Sequence, residues 1–539
     1  MKSSVLFLLL LAATTMATAQ TSWVISPSGH RLNISFDEAN AYIIGQDTTL
    51  SGSIILPNSA QYWEYLSYPD IDEPYDSVLH TVPVTVVMGG AFAHCSRITA
   101  VAIPATVTHI GDGAFAYCSR LDSLTVASPN PIYTSTLGAD AIIEPRTQTL
   151  VCGTRRTVIP PTVKIIGPKA FQGISGLQAI TLPDSLESIQ QYAFDGCLSL
   201  RALRIPQKVK HIGYMSLAHC PALTELVVDP ANTVYDSRDN CNAVILSASH
   251  WLQAACPATV IPYGIKRIDQ KAFVDITSLT HIDLPNTLFE ITEFAFEGCT
   301  GLTSIHIPSS VVYIAIWGNP FARCTGLETI TVDSANRHFD SRSSCNAIIE
   351  KNDKILISGC RTTVIPDNTF HIAPYAFQGM TGLHRIVLPR NTLSIGEGAF
   401  EGCLDVTTII SADEAAPTVS PNTFKGIDPN IPIHIHRGSR ESYGQKWTYF
   451  HNFVEDYPVG IDGTAPAPKP YTLTWVDGQL LLTTSTPLPI SLYDLSGHLL
   501  LRAPATASNP LNLSFQNGSL PKVLLLQVGN LPAEKILLP

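Results

Sequence analysis

Residues 279–302 read LTHIDLPNTLFEITEFAFEGCTGL. Apolar Ile282 and Leu284 alternate with polar neighbours, the period of a half-buried strand, and Pro285 ends that strand because it has no N–H for a ladder. After Ile291 an Ala295-Phe296 pair leads into Gly298-Cys299, a tight turn that returns the chain behind the strand. The same phrase recurs along most of the sequence. Phe92, Phe115, Phe171, Phe194, Leu217, Phe273, Phe296, Phe321, Phe377 and Phe400 hold one register position. Most neighbours in that series share one spacing, that of Phe92 to Phe115 and of Phe171 to Phe194, while the step from Phe296 to Phe321 is longer by two.

A period in the twenties predicts a solenoid. One such coil buries too little apolar surface to offset the entropy of ordering its backbone, so the coils must stack and share a core. The expected fold is mainly β with short turns, a leucine-rich-type solenoid of about ten coils whose strands, at about 4.8 Å spacing, give a sheet roughly 45 Å long.

Three steps are much longer. Phe115 to Phe171, Leu217 to Phe273 and Phe321 to Phe377 are equal to one another, and each amounts to one plain coil plus an insertion of constant length. Two plain coils and one expanded coil therefore form a larger copied unit. Each insertion starts after a strand, at Val126, Val228 or Val332, and returns at Ile159, Ile261 or Ile365. In the third, NAIIEKNDKILISG reads as a hairpin turning at Asn352-Asp353, which tolerate a left-handed backbone. Such hairpins are expected to stand proud of the solenoid.

Of the twelve cysteines, seven (95, 118, 197, 220, 299, 324 and 403) follow the Phe position by three places. Ile174, Ile276 and Met380 stand there after the insertions, so these thiols read as core filling. Cys241 and Cys256, and likewise Cys345 and Cys360, are spaced symmetrically about the hairpin turn, where the first insertion has Ala139 and Thr154. That symmetry, in a chain that opens with an export signal, suggests two disulfides across the hairpins. Cys152 has no partner on this logic.

The residue before the last apolar position of each strand points outward. It is Thr125, Thr181, Arg204, Val227, Asp283, His306, Thr331 or Val387, with Glu225, His281 and Arg385 beside the column. Extended sheet faces of solenoids are where such proteins bind partners, and Thr, Val and His suit contact better than a densely charged solvating surface. His281, Asp283 and His306 are close enough to suggest an ion site, but outward placement by chance is the simpler reading, and no metal or other cofactor is expected.

The totals narrow the function classes. With 539 residues, 14% charged and a formal net charge of −11, the chain does not suit nucleic acid or an anionic membrane as partner. There is no G-x-S-x-G, H-E-x-x-H or phosphate loop, and an enzyme is not expected. Lys2, the apolar run of residues 5–13 and the small residues Ala17 and Ala19 form a signal peptide over 1–19, too short to anchor a membrane.

The rest divides by composition. Residues 20–80 read as an N-terminal β cap, with an acidic stretch at Asp70, Asp72, Glu73 and Asp76. Residues 81–412 are the solenoid. Residues 413–460 form a C-terminal cap, in which Ser439 caps a helix that turns Tyr443, Trp447 and Phe450 to one face. Residues 461–470 make a Pro-rich linker, and 471–539 a small β-sandwich.

The phrase IP-x-x-V-x-x-IG-x-x-AF-x-GC-x-x-L resembles that of the BspA-type bacterial leucine-rich repeats, over about residues 83–406. The tail, with LPISLYDLSGHLL at residues 488–500 and the ending EKILLP, is similar to the C-terminal sorting domain of the type IX secretion system. These resemblances imply a secreted or outer-membrane surface adhesin. Its implied partners are host extracellular-matrix or plasma proteins and other bacteria, and its tail would meet the secretion machinery. The other reading is a non-catalytic structural surface protein.

Overall fold

The computed structural model describes residues 20–45, 47–65, 77–135 and 138–457, together with the strands lying between 471 and 537. Residues 1–19, expected to form a signal peptide, the acidic residues Asp70 to Asp76 and the Pro-rich stretch 461–470 lie outside the described residues. The chain separates into two compact units, 1–461 and 462–539.

The first unit is a β-solenoid. Most plain coils contribute two short strand positions. One is the strand expected from the phrase, such as Ser304–Ile307, paired in parallel with Thr329–Val332, although in the coils after the first two hairpins that segment, 279–285 included, is not a strand. The other is a short strand at the isoleucine before the turn, such as Arg267–Ile268, Glu290–Ile291 and Tyr313–Ile314, again in parallel. Between them the Phe side chains form a buried column, with Phe273, Phe296 and Phe321 stacked at 4.7 and 5.3 Å. The column extends one coil further than the repeat count suggests. Phe424 stacks 5.9 Å beyond Phe400, and Trp447 and Phe450, each 5.0 Å from Phe424, close it.

The hairpins do not stand proud. In each, two antiparallel strands, Ile142–Glu144 with Thr149–Cys152, Ala243–Leu246 with Trp251–Ala255 and Ala347–Glu350 with Ile355–Gly359, form a rung of the stack. The outgoing strand then pairs in parallel with the next coil, through Thr149 and Ile165, Trp251 and Arg267, and Ile355 and His371. Successive side chains alternate between two core compartments. Val244 packs with the coils before it, and Ala243 and Ile245 with the coils after it. Three hairpins thus partition one apolar interior into four clusters.

An asparagine fixes the start of each insertion. Asn336 donates from Nδ2 to the carbonyls of Pro308 and Val311, both at 2.9 Å, and accepts from the N–H groups of His338 and Phe339 at 2.9 and 2.8 Å. Asn130 and Asn232 make the equivalent contacts. The left-handed residue of each hairpin turn is Gln148, His250 or Lys354, and Asn352 and Asp353 instead donate their N–H groups to the Glu350 carboxylate.

At the N-terminal end, Ser51–Ile55 pairs in parallel with Arg97–Ile103, so the stack begins well before the repeating phrase becomes recognisable. At the other end, Ile433–His436 and Phe453–Tyr457 continue the same sheet beyond it. Helix Arg440–Lys446 buries Tyr443, while Ser439 makes no side-chain cap; the Glu455 carboxylate accepts from Gly438 and Arg440 N–H instead. In the second unit the described strands make a three-stranded and a four-stranded antiparallel sheet.

Candidate functional site

The outward column lies where alternation puts it. Thr125, Arg204, His306, Thr331, Arg385 and Val387 are exposed on strands whose inward residues are buried, and Val227 is half-buried. Parallel register brings Arg204 beside Val227 and His306 beside Thr331, the latter pair joined by a 2.9 Å hydrogen bond. Arg204 also bonds to Asp229 at 2.9 Å.

The face is not one long sheet. The hairpins interrupt it into groups of three, two, two and four strands, at Ser51 to Val126, Ala202 to Val228, Ser304 to Val332 and Arg385 to Tyr457. Thr181, His281 and Asp283 are exposed on segments outside any strand, and Glu225 heads the strand Glu225–Val228. The reason is spacing, since each hairpin takes the level where the next front strand would pair. Uninterrupted pairing runs longer on the second sheet, which has groups of five and six strands. His281 pairs with Asp283 at 3.0 Å, away from His306, and among the described residues no three His, Cys, Asp or Glu side chains converge as metal ligands.

All twelve cysteines are buried thiols. A β-bulge between Val244 and Ile245, repeated between Ile348 and Ile349, shifts the hairpin register by one position. Cys256 and Cys360 therefore reach the carbonyls of Asn242 and Asn346, at 3.4 and 3.5 Å. The members of each expected pair line different core compartments, Cys241 facing one way and Cys256 the other, and Cys345 and Cys360 likewise. The symmetric spacing does not become a bridge in this register. Thr154 in the first hairpin donates to the Asp122 carbonyl, as Cys360 does to that of Glu328, so what recurs is a buried donor. Cys152, which had no partner by spacing, sits across from Ile142 in the first core compartment.

A second surface was not anticipated. The residue two after each Phe adopts a left-handed backbone. Glycine holds it at Gly173, Gly196, Gly298, Gly379 and Gly402, but His94, Tyr117, His219, Asp275 and Arg323 hold it elsewhere. A side chain costs about 1 kcal/mol or more in that conformation, so bulk there is set against strain. His94 and Tyr117 stack at 4.5 Å. His219 bridges the second insertion, bonded at 2.5 Å to the buried Asp195 and 3.4 Å from Asp275. Gln172 holds the other Asp195 oxygen at 2.9 Å. The hydrogen bond from His219 to Asp195 raises the imidazole pKa, against the opposing effect of burial. The irregular glycine pattern two places past each Phe was the signal in the sequence.

Comparison with known proteins bears on the scaffold. The BspA type leucine rich repeat region matches in six copies, over residues 75–138, 151–242, 251–353 and 357–443. Among solved structures, the chain is similar to a leucine rich cell surface protein from Faecalibacterium prausnitzii, at 19% identity over 80% of this chain and 98% of that one, with a TM-score of 0.35. It is also similar to a leucine-rich repeat protein from Bacteroides ovatus, at 20% identity over 81% and 98%, with a TM-score of 0.29. A third, from Eubacterium ventriosum, shares 18% identity over 76% and 95%, with a TM-score of 0.35. No curated protein matches. With the repeat model matching well over half of its length, the chain belongs to the BspA-type leucine-rich-repeat family.

Proposed function

We propose that the protein is a secreted or outer-membrane surface adhesin that binds host extracellular proteins or other bacterial surfaces through the outward strand face, without catalysis. The observation that carries this reading is a face whose exposed positions hold Thr, Val, His and Arg above a rigid apolar interior, with Val387 left 44% exposed. Affinity on such a face comes from area and a few anchors, and a pre-ordered scaffold loses little entropy on binding.

Catalysis has no support in the thiols, because burial raises their pKa values, to about 12 for Cys299 and Cys403, and so removes the thiolate nucleophile. Delivery follows from the signal peptide of residues 1–19 and from a tail, residues 471–539, that acts as a type IX sorting domain and small sandwich after the linker 461–470. The caps 20–80 and 413–460 then shield the ends of the solenoid. No described helix is long and apolar enough to cross a membrane.

The test is saturable binding of the chain lacking residues 471–539 to immobilised matrix and plasma proteins. Absence of binding, together with self-association of the purified chain, favours the structural alternative. For delivery, cell fractionation with and without the tail decides; a truncated form that still reaches the surface overturns the sorting reading.

A further inference from the structure

The second sheet, opposite in role to the strand face, carries a groove in the third repeat unit. At the register positions Trp251, Arg267, Glu290 and Tyr313, the second unit fills this level: the Arg267 guanidinium lies 4.3 Å over the Trp251 ring and ion-pairs with Asp269 at 2.8 Å and Glu290 at 3.6 Å. In the third unit the same positions are Ile355, His371, Ser394 and Thr418. Shorter side chains leave a depression of about 980 Å³, walled by the hairpin turn at Asn352 and Asp353.

A second observation falls at the same place. The lengthened coil between Phe296 and Phe321 has its two extra positions next to this groove, and the loop they create presents Trp317 at its rim, 79% exposed. Nothing about packing requires that indole. The loop is held by other groups, with Asn319 accepting from Phe321 N–H at 3.0 Å and donating to the Tyr375 carbonyl at 2.9 Å. Across the groove the Asp353 and Glu397 carboxylates are exposed and form no ion pair among the described residues, while the nearby Lys354 ammonium is held 4.3 Å over the Phe370 ring.

We propose that this groove binds a neutral oligosaccharide. A flat, exposed indole accepts the C–H face of a pyranose, as amphipathic aromatic surfaces accept ligands with one apolar and one polar side. The carboxylates and the Asn352 amide accept hydroxyl hydrogens, and the His371 imidazole, 2.7 Å from Ser394 Oγ, adds a further polar edge. Two exposed carboxylates against the single nearby ammonium of Lys354 leave the groove with an excess of negative charge, which disfavours sialylated or sulfated chains by like-charge repulsion. This site is separate from the strand face and its test does not depend on that reading.

The experiment uses the chain from residue 20 to 539, titrated by calorimetry with cellohexaose, mannohexaose, chitohexaose, a sialylated oligosaccharide and an extended threonine-rich peptide. Binding of at least one neutral hexamer is expected, weakened about tenfold or more by Trp317→Ala and by Thr418→Tyr, which restores the ring that Tyr313 carries in the second unit. Both positions are exposed, so unfolding curves of the variants should overlay the parent. No response to any neutral hexamer overturns the proposal. So does saccharide binding unchanged in both variants, or a Trp317-dependent response to the peptide alone.

Discussion

The Sγ of Cys118 donates to the carbonyl of Phe92, one coil back, at 3.1 Å. The same bond joins Cys299 to Phe273, Cys324 to Phe296 and Cys403 to Phe377, each at 3.1 Å. The cysteine column therefore does more than fill volume, since each thiol also engages a buried carbonyl between coils. Replacing Cys299 by Ala should cost about 2 kcal/mol, from lost packing and the weakened carbonyl partner, measured by chemical denaturation.

Burial sets the pH limit of that column. The thiol pKa values of Cys299 and Cys403 are raised by burial to about 12 from an ordinary 9.0, so the thiol form is favoured in the folded state. That stabilisation is fully present below about pH 9 and is lost as pH rises towards 12. Unfolding midpoints should hold up to about pH 9 and fall steeply above it, with the fall reduced in a variant carrying alanine at both positions.

His219 titrates in the opposite part of the scale. Its pKa is raised chiefly by the Asp195 hydrogen bond, with Asp275 adding to it and burial and Lys271 opposing it. A raised histidine stabilises the fold fully below its unfolded pKa and loses this as pH rises through the folded value. His219→Gln should therefore destabilise more at about pH 5.5 than at about pH 8.5. Equal losses at both pH values would show that the bridge between Asp195 and Asp275 carries no charge.

The register of the hairpins makes a redox prediction. Because Cys256 lies opposite Asn242 and faces a different compartment from Cys241, peptide mapping of the unreduced protein should recover Cys241, Cys256, Cys345 and Cys360 as free thiols. A Cys241 to Cys256 linkage would contradict the bulged register.

Much of the scaffold was readable because one residue type marks it. Phe296 and its equivalents fix the coil length, and the three long steps fix where the hairpins enter. The burial of those hairpins was also written in the chain, since AVIL at Ala243–Leu246 and Ala347, Ile348 and Ile349 of the third hairpin are apolar at consecutive positions, as a strand buried on both faces must be. A hairpin standing in solvent would have alternated. The bulges were not readable, because no glycine or proline marks them, and they undo the symmetry of the cysteine spacing. Nor was the break-up of the front sheet, which follows only once the hairpins are known to occupy a rung.

The asparagine at the head of each insertion should be the most sensitive polar position. Asn336 is buried and makes four hydrogen bonds to backbone. Asn336→Ala leaves two buried carbonyls and two N–H groups without that partner and should cost about 3 kcal/mol or more, seen as a lower denaturation midpoint. Arg385→Ala, on the exposed face, should stay within about 0.5 kcal/mol of the parent.

The claim that matters most is that the outward strand face, and not the scaffold beneath it, does the binding. It is tested by comparing the chain lacking residues 471–539 with a variant carrying His306→Glu, Thr331→Glu and Val387→Glu, on immobilised matrix and plasma proteins. All three positions are exposed, so the variant should unfold with the parent. The account predicts saturable binding by the parent and a loss of tenfold or more, about 1.4 kcal/mol, in the variant. Undiminished binding by the variant would contradict it.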